Sequence, residues 1–186
     1  MDAMIDLETL DTTPTAVVLS VGAVLFDPFS SAVGPTFYAE LTNHLEQQTA
    51  TGRTIGPQTV LWWMSQNTAA RAVFAARETD PTRCSPLYMA ASFADFIKQN
   101  DVRRVWAKDP DFDVVILRSL YETNAPGFAF PFSHSASRSV RTVEAMPFAP
   151  VRELKPVAHN ALNDAIDQAR SIQSIFAALA VRGGTA

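Results

Sequence analysis

Residues 3–26 read AMIDLETLDTTPTAVVLSVGAVLF, and this stretch decides the fold. Its first part, 3–9, predicts a strand. A turn-rich piece with Pro14 follows, and a second strand is expected over 16–26, built almost wholly of β-branched and small residues. Asp27-Pro28 then signals a turn. Beyond it, TFYAEL at 36–41 alternates aromatic and polar residues, the pattern of an exposed or edge strand. Three successive strands with short links predict an antiparallel meander.

Further along the chain the pattern turns helical. Pro57 stands where a helix starts, with VLWWM close behind it, and 68–76 continues in helical style. A proline-marked break is expected at 81–86, then a helix over 87–98 and a short strand over 103–107. The next helix, 112–121, places Phe112, Val115, Ile116 and Leu120 on one face. Residues 124–157 predict no element, with prolines, scattered aromatics and the basic pair Arg138 and Arg141. The last helix is plain: Leu162, Ala165, Ile166, Ala169, Ile172, Phe176 and Leu179 form a stripe, and Gly183-Gly184 ends it. The expected architecture is one α/β domain over 1–186. Its mixed central sheet joins the antiparallel meander to parallel strands and is flanked by helices.

Bulk properties exclude several classes. The 186 residues are 47% hydrophobic and 18% charged, a globular composition. A net charge of −4 argues against a module that reads duplex DNA with a basic face. It does not argue against a nuclease, whose carboxylates hold the cations that meet phosphate. Cys84 is the only cysteine, which rules out an intramolecular disulfide and a thiolate zinc site. Asp2, Asp6 and Glu8 stand where a secretory leader would be basic, and the longest apolar run is too short to span a bilayer. A soluble protein of the reducing cytoplasm, with no membrane association, is expected.

Three features carry chemistry. On a strand, residues i and i+2 share a face, so Asp6 and Glu8 project together while Leu7 points into the core. Paired carboxylates repel unless a cation bridges them. Alone, the pair also reads as a solvated strand edge. Asp113 opens the helix that follows the 103–107 strand, at the strand exit where α/β folds place ligands. Alone, it reads first as a favourable acid in a first helical turn. Finally, a five-residue step turns about 140° on a helix, so His159 and Asp164 share no helical face. Asn160 is a good N-cap, which puts His159 on the loop before the helix and Asp164 near its positive end.

In order along the chain stand DLETLDT (6–12), SVGAVLFD (20–27), TVLWW (59–63), FDVVILRS (112–119), VRTVE (140–144) and HNALNDA (159–165). Each is weak singly; together, at compatible spacing, they resemble the DEDDh 3′-5′ exonucleases of the ribonuclease H-like superfamily. The wording is most similar to the phage exonuclease A and bacterial 3′-5′ exoribonuclease-like type, over residues 4 to 175. A tyrosine subtype would need Tyr at Asn160, so His159 selects the histidine subtype. Where relatives carry a small stretch after a tryptophan, this chain has Ala107-Lys108-Asp109-Pro110. Lys108 could contact a phosphate there, and Asp109 adds negative charge near the metals.

The resemblance implies a ribonuclease H-like fold and catalysis by Asp6, Glu8, Asp113, His159 and Asp164. The four carboxylates would hold two divalent ions roughly 3.5–4 Å apart, with Asp6 bridging. Oxygen ligation suits Mg²⁺ or Mn²⁺. His159 would take a proton from the attacking water; on a loop, it is the member expected to engage only once substrate is bound. The partner would be the 3′ end of single-stranded DNA or RNA, with Thr9 and Leu10 flanking the terminal nucleotide. Trp62 could stack on a base and Arg141 could meet a phosphate. Because neighbouring helical residues face about 100° apart, at most one of Trp62 and Trp63 should reach substrate. Some relatives dimerise, which leaves a homodimer open. A catalytically inactive nucleic-acid-binding module on the same fold would be expected to lose one or more of the carboxylates, and all of them stand here. A ribonuclease H-type endonuclease would lack the late histidine arrangement.

Overall fold

The structure is a computed structural model that describes residues 1–74, 83–147, 149–150 and 159–183. Among these, the strands β1 (Asp2–Thr9), β2 (Val18–Phe26), β3 (Val33–Glu40), β4 (Arg104–Ala107) and β5 (Ser137–Ser139) form one mixed sheet. Its order is β3-β2-β1-β4-β5. The first three strands pair antiparallel, and β4 and β5 run parallel to β1. The expected meander is present, with β3 on the sheet edge, and the α/β arrangement is that of the ribonuclease H-like fold.

The helices are α1 (Leu45–Ala50), α2 (Pro57–Ser65), α3 (Pro86–Gln99), α4 (Asp113–Asn124), α5 (Val140–Glu144) and α6 (Ala161–Gly183). The period of two along β1 sorts them onto two faces. Ala3, Ile5 and Leu7 point into the main core with Met89, Phe93 and Ile97 of α3 and Ile116, Leu117 and Leu120 of α4. Met4 points the other way, under Ala165, Ala169 and Ile172 of α6. Asp6 and Glu8 continue that second face. The apolar seam between β1 and α6 therefore gives way to acid at the start of α6. A third cluster, Leu10, Val17, Leu19, Trp63, Ala70 and Val73, anchors α2 beyond the end of β1.

The structure departs from the local reading at several points. Ala16 and Val17 leave the expected second strand: Ala16 bridges to Thr54 instead. Gln48 takes both backbone groups of Val18, at 2.9 and 2.8 Å, and β2 begins there. β3 starts earlier than expected, at Val33, because Gly34 and Pro35 mask its alternation. The helical style of 68–76 becomes a 3₁₀ turn at Ala70–Phe74, and 75–82 lies outside the described residues. β5 and α5 occupy part of the stretch with no predicted element. No helix among the described residues is long and apolar enough to cross a membrane.

Candidate active site

β1 outruns its parallel neighbour. Pairing with β4 stops at Met4–Trp106, so among the described residues no strand lies beside the far half of that β1 edge. A buried backbone N–H left this way needs a partner. Asp113 supplies one at Leu7: its Oδ1 accepts from the Leu7 N–H at 3.1 Å. The first residue of α4 is thus buried and tied to the strand segment that lies between Asp6 and Glu8. A register shift follows Glu8 on the β2 side. Such irregularities re-aim side chains next to functional sites.

The start of α6 closes the cluster from above. Asn160 caps it, Oδ1 accepting from the Asn163 N–H at 3.1 Å, and Asp164 lies in the first turn. His159 precedes the cap with φ +46°, a left-handed conformation that a non-glycine residue rarely adopts. Glu8, His159 and Asp164 each offer a ligand atom within 4.8 Å of one another. The histidine, on the loop ahead of α6 as expected, therefore sits beside two of the carboxylates. Its ring is held edge-to-face by Trp62, with centroids 4.8 Å apart.

α6 can approach this closely because of Gly22, which faces Asp6 across the β1–β2 ladder. A Cβ there would lie 2.2 Å from the Ala161 carbonyl carbon and 2.3 Å from the Leu162 nitrogen. Gln168, one turn after Asp164, is buried and donates its side-chain amide to Asp6 Oδ1 at 2.7 Å. Sequence reasoning missed both residues. The signals were a lone glycine inside an apolar strand and a polar residue four places after Asp164.

The electrostatics follow from crowding acids in a low-dielectric place. Burial, then the charges of Asp113, Glu8 and Asp164, hold the Asp6 carboxyl well above its usual range, and the Gln168 amide pulls the other way. Glu8 is pushed up to about 8, by burial first and then by Asp164 and Asp113. Burial raises Asp113 to about 7, opposed by the hydrogen bond from Leu7. These groups resist ionising together, and a divalent cation would relieve them. An oxygen-rich set with one imidazole fits such an ion.

The other sequence candidates fall around this centre. Trp63 is 2% exposed, and its indole N–H donates to the Thr9 carbonyl at 2.8 Å. Trp62 is 42% exposed. Thr9 and Leu10 are buried, and the Leu10 N–H and carbonyl bond to Val17 and Gly56. Lys108 is exposed, and its carbonyl accepts from the Arg141 N–H at 3.2 Å. Arg141 pairs with Asp109 at 3.6 Å, and the Asp109 charge acts on Asp113, so Arg141 borders the acidic cluster.

The model of one family, described as the 3′-5′ exoribonuclease Rv2179c-like domain, matches residues 1–176. The chain belongs to that family. No curated protein matches the sequence. Membership in this exoribonuclease family supports exonuclease activity and makes nucleic acid the substrate class.

The raised carboxyls make a prediction about stability. Glu8 and Asp113 keep protons in the folded domain up to about pH 8 and 7, but ionise near their ordinary values of 4.5 and 3.8 when unfolded. Between those limits the folded form binds more protons, so their contribution to stability is lost as pH rises. In EDTA at pH 8, Glu8→Gln should melt higher than wild type by on the order of 2 kcal/mol, or roughly 5 °C. At pH 5 the two should melt together. Equal melting at pH 8 would remove the buried-charge account.

Proposed function

We propose that the chain is a metal-dependent 3′-5′ exonuclease of the DEDDh type, acting on single-stranded nucleic acid with RNA as the preferred polymer. The convergence of Asp6, Glu8, Asp113 and Asp164 with His159, where β1 meets the start of α6, carries this reading. The exoribonuclease family supports RNA.

In this reading Asp6, Glu8, Asp113 and Asp164 would hold the Mg²⁺ or Mn²⁺ ions. Bound divalent ions supply an activated water and neutralise charge on the leaving oxygen. His159 accepts the proton of the attacking water, and Trp62 holds the imidazole toward Glu8 and Asp164. The outer part of the Trp62 ring is exposed and offers a surface for a base. Lys108 and Arg141 meet phosphates at the rim, where they offset the acidity of the centre. The backbone at Thr9 and Leu10, fixed by Trp63 and the α2 cluster, borders the terminal nucleotide.

The test is incubation of 5′-labelled single-stranded RNA and DNA with Mg²⁺ or Mn²⁺. A ladder of 3′-shortened products, faster on RNA, is expected. Internal cuts would sink the exonuclease reading, and binding without cleavage would point to an inactive module. His159→Ala should slow the ladder by about 10²-fold and leave Mn²⁺ affinity near wild type. A large loss of Mn²⁺ affinity would make His159 a ligand instead of a base.

A further inference from the structure

Asp6 is the one residue of β1 that is only partly buried, in a strand otherwise enclosed along its whole length. A carboxylate on such a residue can rotate toward solvent unless something holds it. Among the described residues, the side chain that hydrogen-bonds it is Gln168, through Nε2 to Oδ1 at 2.7 Å. Gln168 is itself 3% exposed and comes from the same face of α6 as Asp164. Its own carbonyl, Oε1, is buried and has no hydrogen-bond partner among the described residues.

That asymmetry is informative. An amide serving only to tie α6 to the sheet would be expected to satisfy both its ends, since an orphaned buried carbonyl is unfavourable. Here the donor end is spent on one carboxylate oxygen while the acceptor end goes unmatched. We infer that Gln168 is a positioning residue. It fixes the Asp6 carboxylate in the rotamer that leaves Oδ2 open to the divalent cations, and so sets their affinity. This rests on reading Asp6 as a metal ligand. Partners that orient ligands in this way typically change metal affinity or activity by 10- to 100-fold when removed.

The experiment titrates Mn²⁺ into metal-free wild type, Gln168→Met, Gln168→Asn and Asp6→Ala, with binding followed by electron paramagnetic resonance. Gln168→Met keeps the length and apolar packing without the amide; Gln168→Asn keeps an amide that falls short of Asp6. Both should bind Mn²⁺ about 10-fold more weakly than wild type, with activity restored in part by excess Mn²⁺. The metal-free melting temperature of Gln168→Met should stay level or rise. Wild-type Mn²⁺ affinity in Gln168→Met would overturn the inference, whether or not its melting temperature fell. If wild type binds no Mn²⁺, or Asp6→Ala binds it equally well, the metal reading of the site falls too. Binding lost in Asp6→Ala but unchanged in both Gln168 variants would sink the positioning role alone.

Discussion

Asp6→Ala should abolish 3′-end shortening while the protein stays folded. Asp6 is the carboxylate on which the others converge: Asp113, Glu8 and Asp164 all act on it, and Gln168 bonds to it. Replacing it would remove one carboxylate from the set proposed to hold the cations. Metal stabilisation of charge in the transition state is worth several kcal/mol, so the rate should fall by on the order of 10³-fold or more. The fold should not suffer in proportion. Asp6 is only partly buried, and losing one of several mutually repelling carboxyls relieves the metal-free protein. Single-turnover cleavage of 5′-labelled RNA, set beside melting in EDTA, separates the two effects. Excess Mn²⁺ should not restore the activity, because the proposed ligand itself is gone. Cleavage within tenfold of wild type would exclude Asp6 from the reacting centre.

Elements long enough to show a period are legible in the sequence. β1 announced itself by alternation, and the same alternation put Asp6 and Glu8 on one face. α6 was legible from its apolar stripe, and Asn160 from its capping chemistry, so His159 was correctly set ahead of the helix. β5 and α5 escaped because elements of three and five residues are too short to carry a period. They exist through tertiary context. β5 borrows its ladder from β4, and α5 is started by the Ser139 hydroxyl and pinned by Val140 against the α6 cluster. The division of labour between Trp62 and Trp63 was legible only as an angle. Which ring turns inward depends on the Thr9 carbonyl that Trp63 finds, more than fifty residues away along the chain. The inward placement of His159 depends on a left-handed backbone and on the Trp62 ring, neither of which leaves a local signature. Gln168 hid for a related reason, since a glutamine on a helix flank looks like ordinary surface until its helix is seen to lie on β1.

Gly22→Ala should disable the site from the far side of the sheet ladder, though position 22 bears no functional group. The added Cβ would meet the Ala161 carbonyl carbon at 2.2 Å, the Leu162 nitrogen at 2.3 Å and the Ala161 oxygen at 2.4 Å. All three are backbone atoms, so no side chain can swing aside. β2 is buried along its entire length, which leaves α6 as the part that must rise. To reach ordinary contact its first turn has to lift by more than an ångström, carrying His159, Asp164 and Gln168 away from Glu8 and Asp6. A misplacement of about 1 Å costs roughly 10²-fold in rate, and here a proposed ligand, the proposed base and the amide inferred to position Asp6 move together. A loss on the order of 10³-fold is therefore expected. The stability cost should be that of an overpacked core, about 1–3 kcal/mol, so the variant should still fold with a native-like circular dichroism spectrum. Mn²⁺ affinity should fall along with the rate, because Asp164 leaves the cluster, whereas Ala23→Gly in the next position of β2 should spare both. A Gly22→Ala protein with wild-type activity would mean that α6 can settle back without displacing His159 and Asp164, and that the close approach at Gly22 does not set the geometry of the site.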